Sequence, residues 1–346
     1  MATTLRDIAK EAGVSICTVS RVLNNPKAIQ VRDETRRRVL GAAQRLSYRP
    51  NIMARGLVKK RTNLIGVVVP SLTNSFLSET VQGIQDIAEE LSCSVLLYTH
   101  RYNPAKEAEY LQVLRDKGVD GIIWMPMFES NIPLALELEK EIPIVQIHTA
   151  FKSLTSPYVT AEHEKGAYLA TEHLIKLGHH RVAHFGLSDD IHGKLRHLGY
   201  MRALTEYQIP YDPQLVFEAG YDWHNGYAAA QELLKLPADL RPTAVFCCGD
   251  MTAWGAVESF KKAGLAVPEE MAVVGFDDLA IAAWMEVPLT TIALPKADTG
   301  RVAMAKLDEK IRTGETESVC LDVRLVIRES SQSSRVSNML SQVQTG

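Results

Sequence analysis

The 346-residue chain lacks any apolar run near the roughly 20 residues needed to cross a bilayer. Its first residues, MATTLRDIAKEAG, are polar and amphipathic. They lack the apolar segment of a secretory signal, which points to the cytoplasm and away from a membrane. Cysteine is scarce. Cys17, Cys93, Cys247, Cys248 and Cys320 are odd in number and two are adjacent, so a disulfide framework is not expected. The phosphate-cradling patterns G-x-x-x-x-G-K-[ST] and G-x-G-x-x-G are absent, as is the nucleophile elbow G-x-S-x-G. No cofactor is implied. The densest histidine group is His173, His179, His180 and His184. A histidine after the Gly178 helix stop meets the negative end of a helix dipole, so no metal is assigned to it.

What is present is a segregated charge. Residues 1–61 carry 14 lysines and arginines against 4 carboxylates, a formal +10, whereas the remainder carries −13. A basic head on an acidic body is the footprint of polyanion binding confined to one end.

Within that head, Leu5, Ile8, Ala9 and Ala12 recur at the spacing of an amphipathic helix. Gly13 stops it and Ser15 is placed to cap a second helix. There Val19, Val22 and Leu23 face inward, leaving Ile16, Cys17, Ser20 and Arg21 outward. A third helix is expected over about 33–47, with Val39, Ala43 and Leu46 on its apolar side. Two short helices joined by a Gly turn form a helix-turn-helix, whose second helix enters the major groove.

The run LRDIAKEAGVSICTVSRVLNN, with ETRRRVLGAAQRLSYRPNIMARGL after it, resembles the headpiece and hinge of the lactose/galactose repressor family. That resemblance implies base reading by Ile16, Cys17 and Arg21. Arg21 suits a bidentate grip on guanine; Cys17 is either a weak contact or a spacer. It also implies backbone contacts from Thr4, Ser15, Asn24, Asn25, Arg49 and Asn51, which position the protein without reading sequence. Pro50 breaks the chain before a short hinge helix over 51–58. Ala54, Arg55 and Leu57 would enter the minor groove there, with Leu57 as the wedge. Arg32 departs from the family's usual serine cap on the third helix.

From Leu64 the pattern alternates between apolar strands (LIGVVV, SVLLY, GIIW, IPIVQI) and helices. It restarts after about 162 with RVAHFG, LVFEAG, AVFCC and AVVGF. Such strands imply parallel sheets buried on both faces. Two series imply two Rossmann-like lobes, with the cleft between them as the default ligand site.

This body is similar to the periplasmic-binding-protein-like core of the same family, through Asn74-Ser75-Phe76, Arg196-His197-Leu198-Gly199-Tyr200, Val274-Gly275-Phe276-Asp277-Asp278 and Pro288-Leu289-Thr290-Thr291-Ile292. The implied plan is an all-α helix-turn-helix headpiece at 1–48, a hinge at 49–61 and an α/β core of two lobes at 62–330. Lobe 1 takes about 62–161 and 292–323, and lobe 2 takes 162–291 and 324–330. A polar tail follows over 331–346. The resemblance further implies effector binding by Phe76, Arg196 and Asp277, with Tyr221 or Trp223 as the stacking aromatic. His148 and Gly249 stand where the family often has Asp and Asn. Asp190 stands where purine-responsive members have an arginine, which argues against a purine. His148 and Asp190 are candidate ligand contacts, and a cleft His148 would titrate near neutrality.

The expected function is a repressor of carbohydrate-utilisation genes. It would bind a near-palindromic double-stranded operator as a homodimer and respond to a sugar or sugar acid. A Rossmann-type enzyme and a free sugar-binding receptor are the competing classes; the basic head opposes both.

Overall fold

The computed structural model describes residues 3–24, 31–48, 61–73, 75–186 and 191–332. Contacts divide the chain into two units, Met1–Thr62 and Asn63–Gly346.

The first unit packs α1 (Leu5–Ala12), α2 (Ile16–Asn24) and α3 (Asp33–Arg45) around Ile8, Ala12, Val19, Val22, Val39 and Ala42. Thr4 opens α1 with a reciprocal capping box: its hydroxyl accepts from the Asp7 N–H, and Asp7 accepts from the Thr4 N–H at 2.8 Å. Gly13 ends α1 at φ 63°, a left-handed position that glycine takes without strain. Ser15 caps the next helix, its Oγ accepting from the Thr18 N–H at 3.1 Å. Arg32 makes no side-chain cap bond to α3, so that helix starts with only Asp33 and Glu34 to favour its dipole. Arg38 donates to the Ala12 carbonyl at 2.5 Å and ties α3 to the end of α1.

The second unit begins with β1 (Leu64–Val69), α4 (Ser75–Glu90), β2 (Ser94–Thr99), α5 (Pro104–Asp116), β3 (Gly121–Trp124), α6 (Ile132–Leu138), β4 (Ile144–Ile147) and β5 (Tyr158–Ala161). It continues with α7 (His163–Lys176), β6 (Val182–Gly186), α8 (Ile191–Glu206), β7 (Val216–Glu218), α9 (Trp223–Leu234), β8 (Ala244–Cys247), α10 (Asp250–Lys262) and β9 (Ala272–Val274). The last elements are β10 (Thr291–Ala293), α11 (Lys296–Thr313), β11 (Val319–Leu321) and β12 (Arg324–Val326).

Lobe 1 is a parallel sheet in the order β11-β5-β4-β3-β1-β2, and lobe 2 a parallel sheet in the order β7-β6-β8-β9. An antiparallel pair, β10 with β12, continues from lobe 2 through bridges Val274–Thr290 and Asp277–Ala293. The chain therefore crosses between lobes after β5, between β10 and α11, and between β11 and β12. Residue 292 was expected back in lobe 1. It lies instead in β10, held by the Asp277 N–H donating to its carbonyl at 2.8 Å, and α11 is the first element to return.

The expected polar tail also starts later than residue 331. Ser330 and Ser331 are buried; the Ser330 hydroxyl donates to the Val273 carbonyl at 2.6 Å, and Ser331 hydrogen-bonds His173 at 2.8 Å. Lobe 1 is closed by α4 on α11. A Cβ at Gly83 would lie 2.0 Å from the Ala297 carbonyl, and one at Gly300 would lie 2.0 Å from the Thr80 carbonyl, so the two backbones touch.

Candidate DNA-reading head and effector cleft

Val19 and Val22 fill the head core because they share one face of α2. The same 3.6-residue period turns Ile16, Cys17 and Arg21 to solvent, with Ile16 at 45% exposure. An isoleucine left in water beside an arginine suits a base edge better than a protein core. Thr4 and Ser15, expected at the DNA backbone, spend their side chains on the capping bonds described above. Asn24 lies in α2, but its side chain is outside the described residues, as are Asn25, Arg49, Asn51, Ala54, Arg55 and Leu57.

In the second unit, strand ends and helix starts from both lobes enclose a cavity of about 130 Å³. Lobe 2 supplies Arg196, which is 3% exposed. Its guanidinium donates to the Cys248 carbonyl and to Asp277 Oδ1 at 3.4 Å, lies 3.9 Å over the Phe276 ring and faces Tyr221 at 5.4 Å. Asp277 sits at φ 110° and Asp278 at φ 50°, a sparsely populated pair for non-glycine residues. Lys296, the first residue of α11, holds them there by donating to both their carbonyls at 2.7 Å. Arg328 pairs with Asp278 at 2.7 Å. Burial raises the Asp277 pKa to about 6, against the pull of Arg196 and Lys296. Below it Asp250, fully buried, is raised further by burial and by the Asp277 charge.

Lobe 1 supplies Phe76 and His148 in contact, ring centroids 4.7 Å apart. His148 Nε2 is hydrogen-bonded to Thr80 at 3.0 Å. The expected near-neutral titration of His148 is not found: burial, then His192 and Lys296 nearby, lower its pKa to about 3, so the ring is neutral. Of the two stacking candidates, Tyr221 lines the cavity, whereas Trp223 stacks on Tyr227 at 5.1 Å. Gly249 opens α10 beside the cavity, where a Cβ would meet Tyr221 at 3.5 Å and Asp277 at 3.6 Å. Asp190 lies outside the described residues.

Sequence reasoning missed His163 and His192, whose ring centroids lie 4.4 Å apart with the planes tilted by 37°, and the methionines Met125, Met127 and Met251. The positions after β3 and at the starts of α7, α8 and α10 were the available signal, since such ends converge on the cleft.

A model of bacterial regulatory proteins of the lacI family matches residues 4–51, and one for a periplasmic-binding-protein-like domain matches 171–331. The chain is 36% identical to the HTH-type transcriptional regulator RegA of Clostridium saccharobutylicum, over 95% of this chain and 99% of that one. It belongs to the LacI family. Catabolite control protein A of Priestia megaterium is 35% identical, over 96% and 100% of the two chains. Among solved structures, a Lac repressor dimer bound to operator and the anti-inducer ONPF superimposes with a TM-score of 0.86 at 28% identity, over 96% of this chain and 100% of that one. A CelR–cellobiose complex gives 0.72 at 30% identity, over 95% and 100%. This LacI-family chain is thus a DNA-binding transcriptional regulator and not an enzyme. Among the described residues, no helix is long and apolar enough to cross a membrane.

Proposed function

We propose that this LacI-family regulator is a homodimeric repressor of carbohydrate-utilisation genes. Two heads occupy the half-sites of a near-palindromic operator, and a sugar or sugar acid in the cleft sets their affinity. The observation that carries the effector reading is the Arg196–Asp277 pair, a nearly buried guanidinium and carboxylate opening on a cavity beside Tyr221. An ion pair withdrawn from water is a poor source of stability, but it is a ready donor and acceptor for ligand hydroxyls. The Lac repressor dimer on operator and the CelR–cellobiose complex, both alike in fold, support the same reading. The hinge residues Ala54, Arg55 and Leu57 are assigned to the minor groove.

The test is a melting-temperature screen of the full chain against sugars and sugar acids. Ligand that binds only the folded state raises the melting point by mass action. One or more should do so, and Asp277→Asn should abolish the rise. A compound whose stabilisation survives both Asp277→Asn and Arg196→Met would place the site elsewhere.

A further inference from the structure

The helix α11 begins against two rules of helix formation. Its first residue, Lys296, sets a cation at the end where the dipole favours anions, and no side chain caps it. A residue placed against the needs of its own helix is held by something outside it. Lys296 is only 5% exposed. An ammonium has donors and no acceptor, and here Nζ donates across to the Asp277 and Asp278 carbonyls of lobe 2, each at 2.7 Å. Within lobe 1 its charge is met by Glu79 of α4, with the carboxylate 3.7 Å away.

The peptides of Asp277 and Asp278 are thus divided between the lobes. Lobe 2 takes their N–H groups: Asp277 donates to the Ile292 carbonyl at 2.8 Å and Asp278 to the Thr291 hydroxyl at 3.4 Å. Lys296 takes their carbonyls from lobe 1. Both residues stand at positive φ, a conformation that persists only while its surroundings hold it. With Lys296 withdrawn, two carbonyls would lose a charged donor. The pair would relax toward negative φ and carry the Asp277 carboxylate away from Arg196. Lys296 does not withdraw alone. The close backbone contact at Gly83 and Gly300 makes α4 and α11 one packed body. That body also brings Phe76 to the cleft and Thr80 to His148.

We propose that Lys296 is a positioning residue for the effector. It holds lobe 2's Asp277 from lobe 1, so the binding carboxylate is aimed only while the α4–α11 pair is docked on lobe 2. Effector binding and that docking are then one equilibrium. The hold on Asp277 stands on the geometry; its consequence for the effector rests on the carbohydrate reading of the cleft.

Two measurements on the full chain test it. The first needs no sugar: amide hydrogen exchange of the wild type, Lys296→Met and Lys296→Arg. In Lys296→Met the Asp277, Asp278 and Leu279 amides should exchange at least about tenfold faster, while those of β6 and β8 keep their rates. Lys296→Arg, which keeps the charge and the donors, should stay within about threefold of wild type at the same amides. Unchanged exchange at 277–279 in Lys296→Met would overturn the inference. If that variant does not fold, Lys296→Gln, which loses the charge and keeps one donor group, takes its place.

The second is calorimetric titration from pH 5 to 8 with glucose, galactose, ribose, cellobiose, gluconate and glucuronate. Any of these that binds the wild type should bind Lys296→Met at least about tenfold more weakly. Its loss of affinity toward low pH should also begin at a higher pH, because Arg196 and Lys296 are the cations that favour ionised Asp277. A variant that was merely less stable would not move that midpoint. Affinity within about threefold of wild type, with the midpoint unmoved, overturns the inference and leaves the carbohydrate reading intact. If none of these compounds binds the wild type, the carbohydrate reading is contradicted, and the exchange result alone decides whether Lys296 holds Asp277.

Discussion

At the scale of single residues, exposure and burial separate two kinds of function. Arg21 is exposed on α2, so its replacement should disturb reading and not folding. Arg21→Ala is expected to weaken operator binding by about 1–3 kcal/mol and relax one base position; selection of bound sequences from a randomised half-site measures this, and an unchanged preference would remove Arg21 from the reading set. In the cleft, burial raises the Asp277 pKa to about 6, near working pH, whereas it lowers that of His148 to about 3. Its carboxylate is ionised above about 6. If hydroxyls are held by the ionised form, effector affinity falls as pH drops through 6. Arg196→Met removes a stabilising charge and moves that fall to higher pH. Titration calorimetry from pH 5 to 8 checks both, and a flat wild-type profile would contradict the role. Arg196 and Asp277 were legible because they sit in extended motifs. The methionines and His163 were not, since single residues just after a strand or in the first turn of a helix carry no periodic signal and only the closed fold brings them together.

At the scale of elements, strength of pattern decided legibility. The strands LIGVVV and RVAHFG are continuous apolar runs, and both appear as central strands, β1 and β6. The segment YVTA, half of it only partly buried, forms β5 at the point where the chain leaves lobe 1, and its strand character comes from pairing with β4 and β11. The same holds for β10 and β12, three residues each, whose antiparallel partnership shifts the crossing. Close helix contact is likewise invisible in one sequence. Gly83 and Gly300 let α4 and α11 touch. Gly83→Ala must force a Cβ against the Ala297 carbonyl and is expected to cost about 1–3 kcal/mol, read from urea unfolding. Because Lys296 adjoins that contact, the same change should also weaken effector binding.

At the scale of the whole molecule, buried neutral histidines set the acid limit. His184, sandwiched by Phe246 and Tyr200, has its pKa lowered to about 3 by burial, and His148 is held equally low. Above pH 6.5 such a ring is neutral folded or unfolded and contributes nothing to pH dependence. Below it, the unfolded chain takes up protons that the folded chain refuses, so stability is lost as pH falls toward 3. Each such histidine should add a slope of about 1.4 kcal/mol per pH unit. His184→Leu should remove one histidine's share, measured by urea unfolding at pH 4.5, 5.5 and 7; an unchanged slope would show that His184 is protonated in the fold.

On the proposed function, cleft and operator are coupled. Coupling between two binding sites is reciprocal. The deciding measurement is therefore a pair of titrations on the full chain: operator fragment with and without the sugar that raises its melting point, and that sugar with and without operator. Both affinities should change by the same factor, at least fivefold, in the range usual for such coupling. Tight binding of the sugar in the cleft with no change in operator affinity would contradict it.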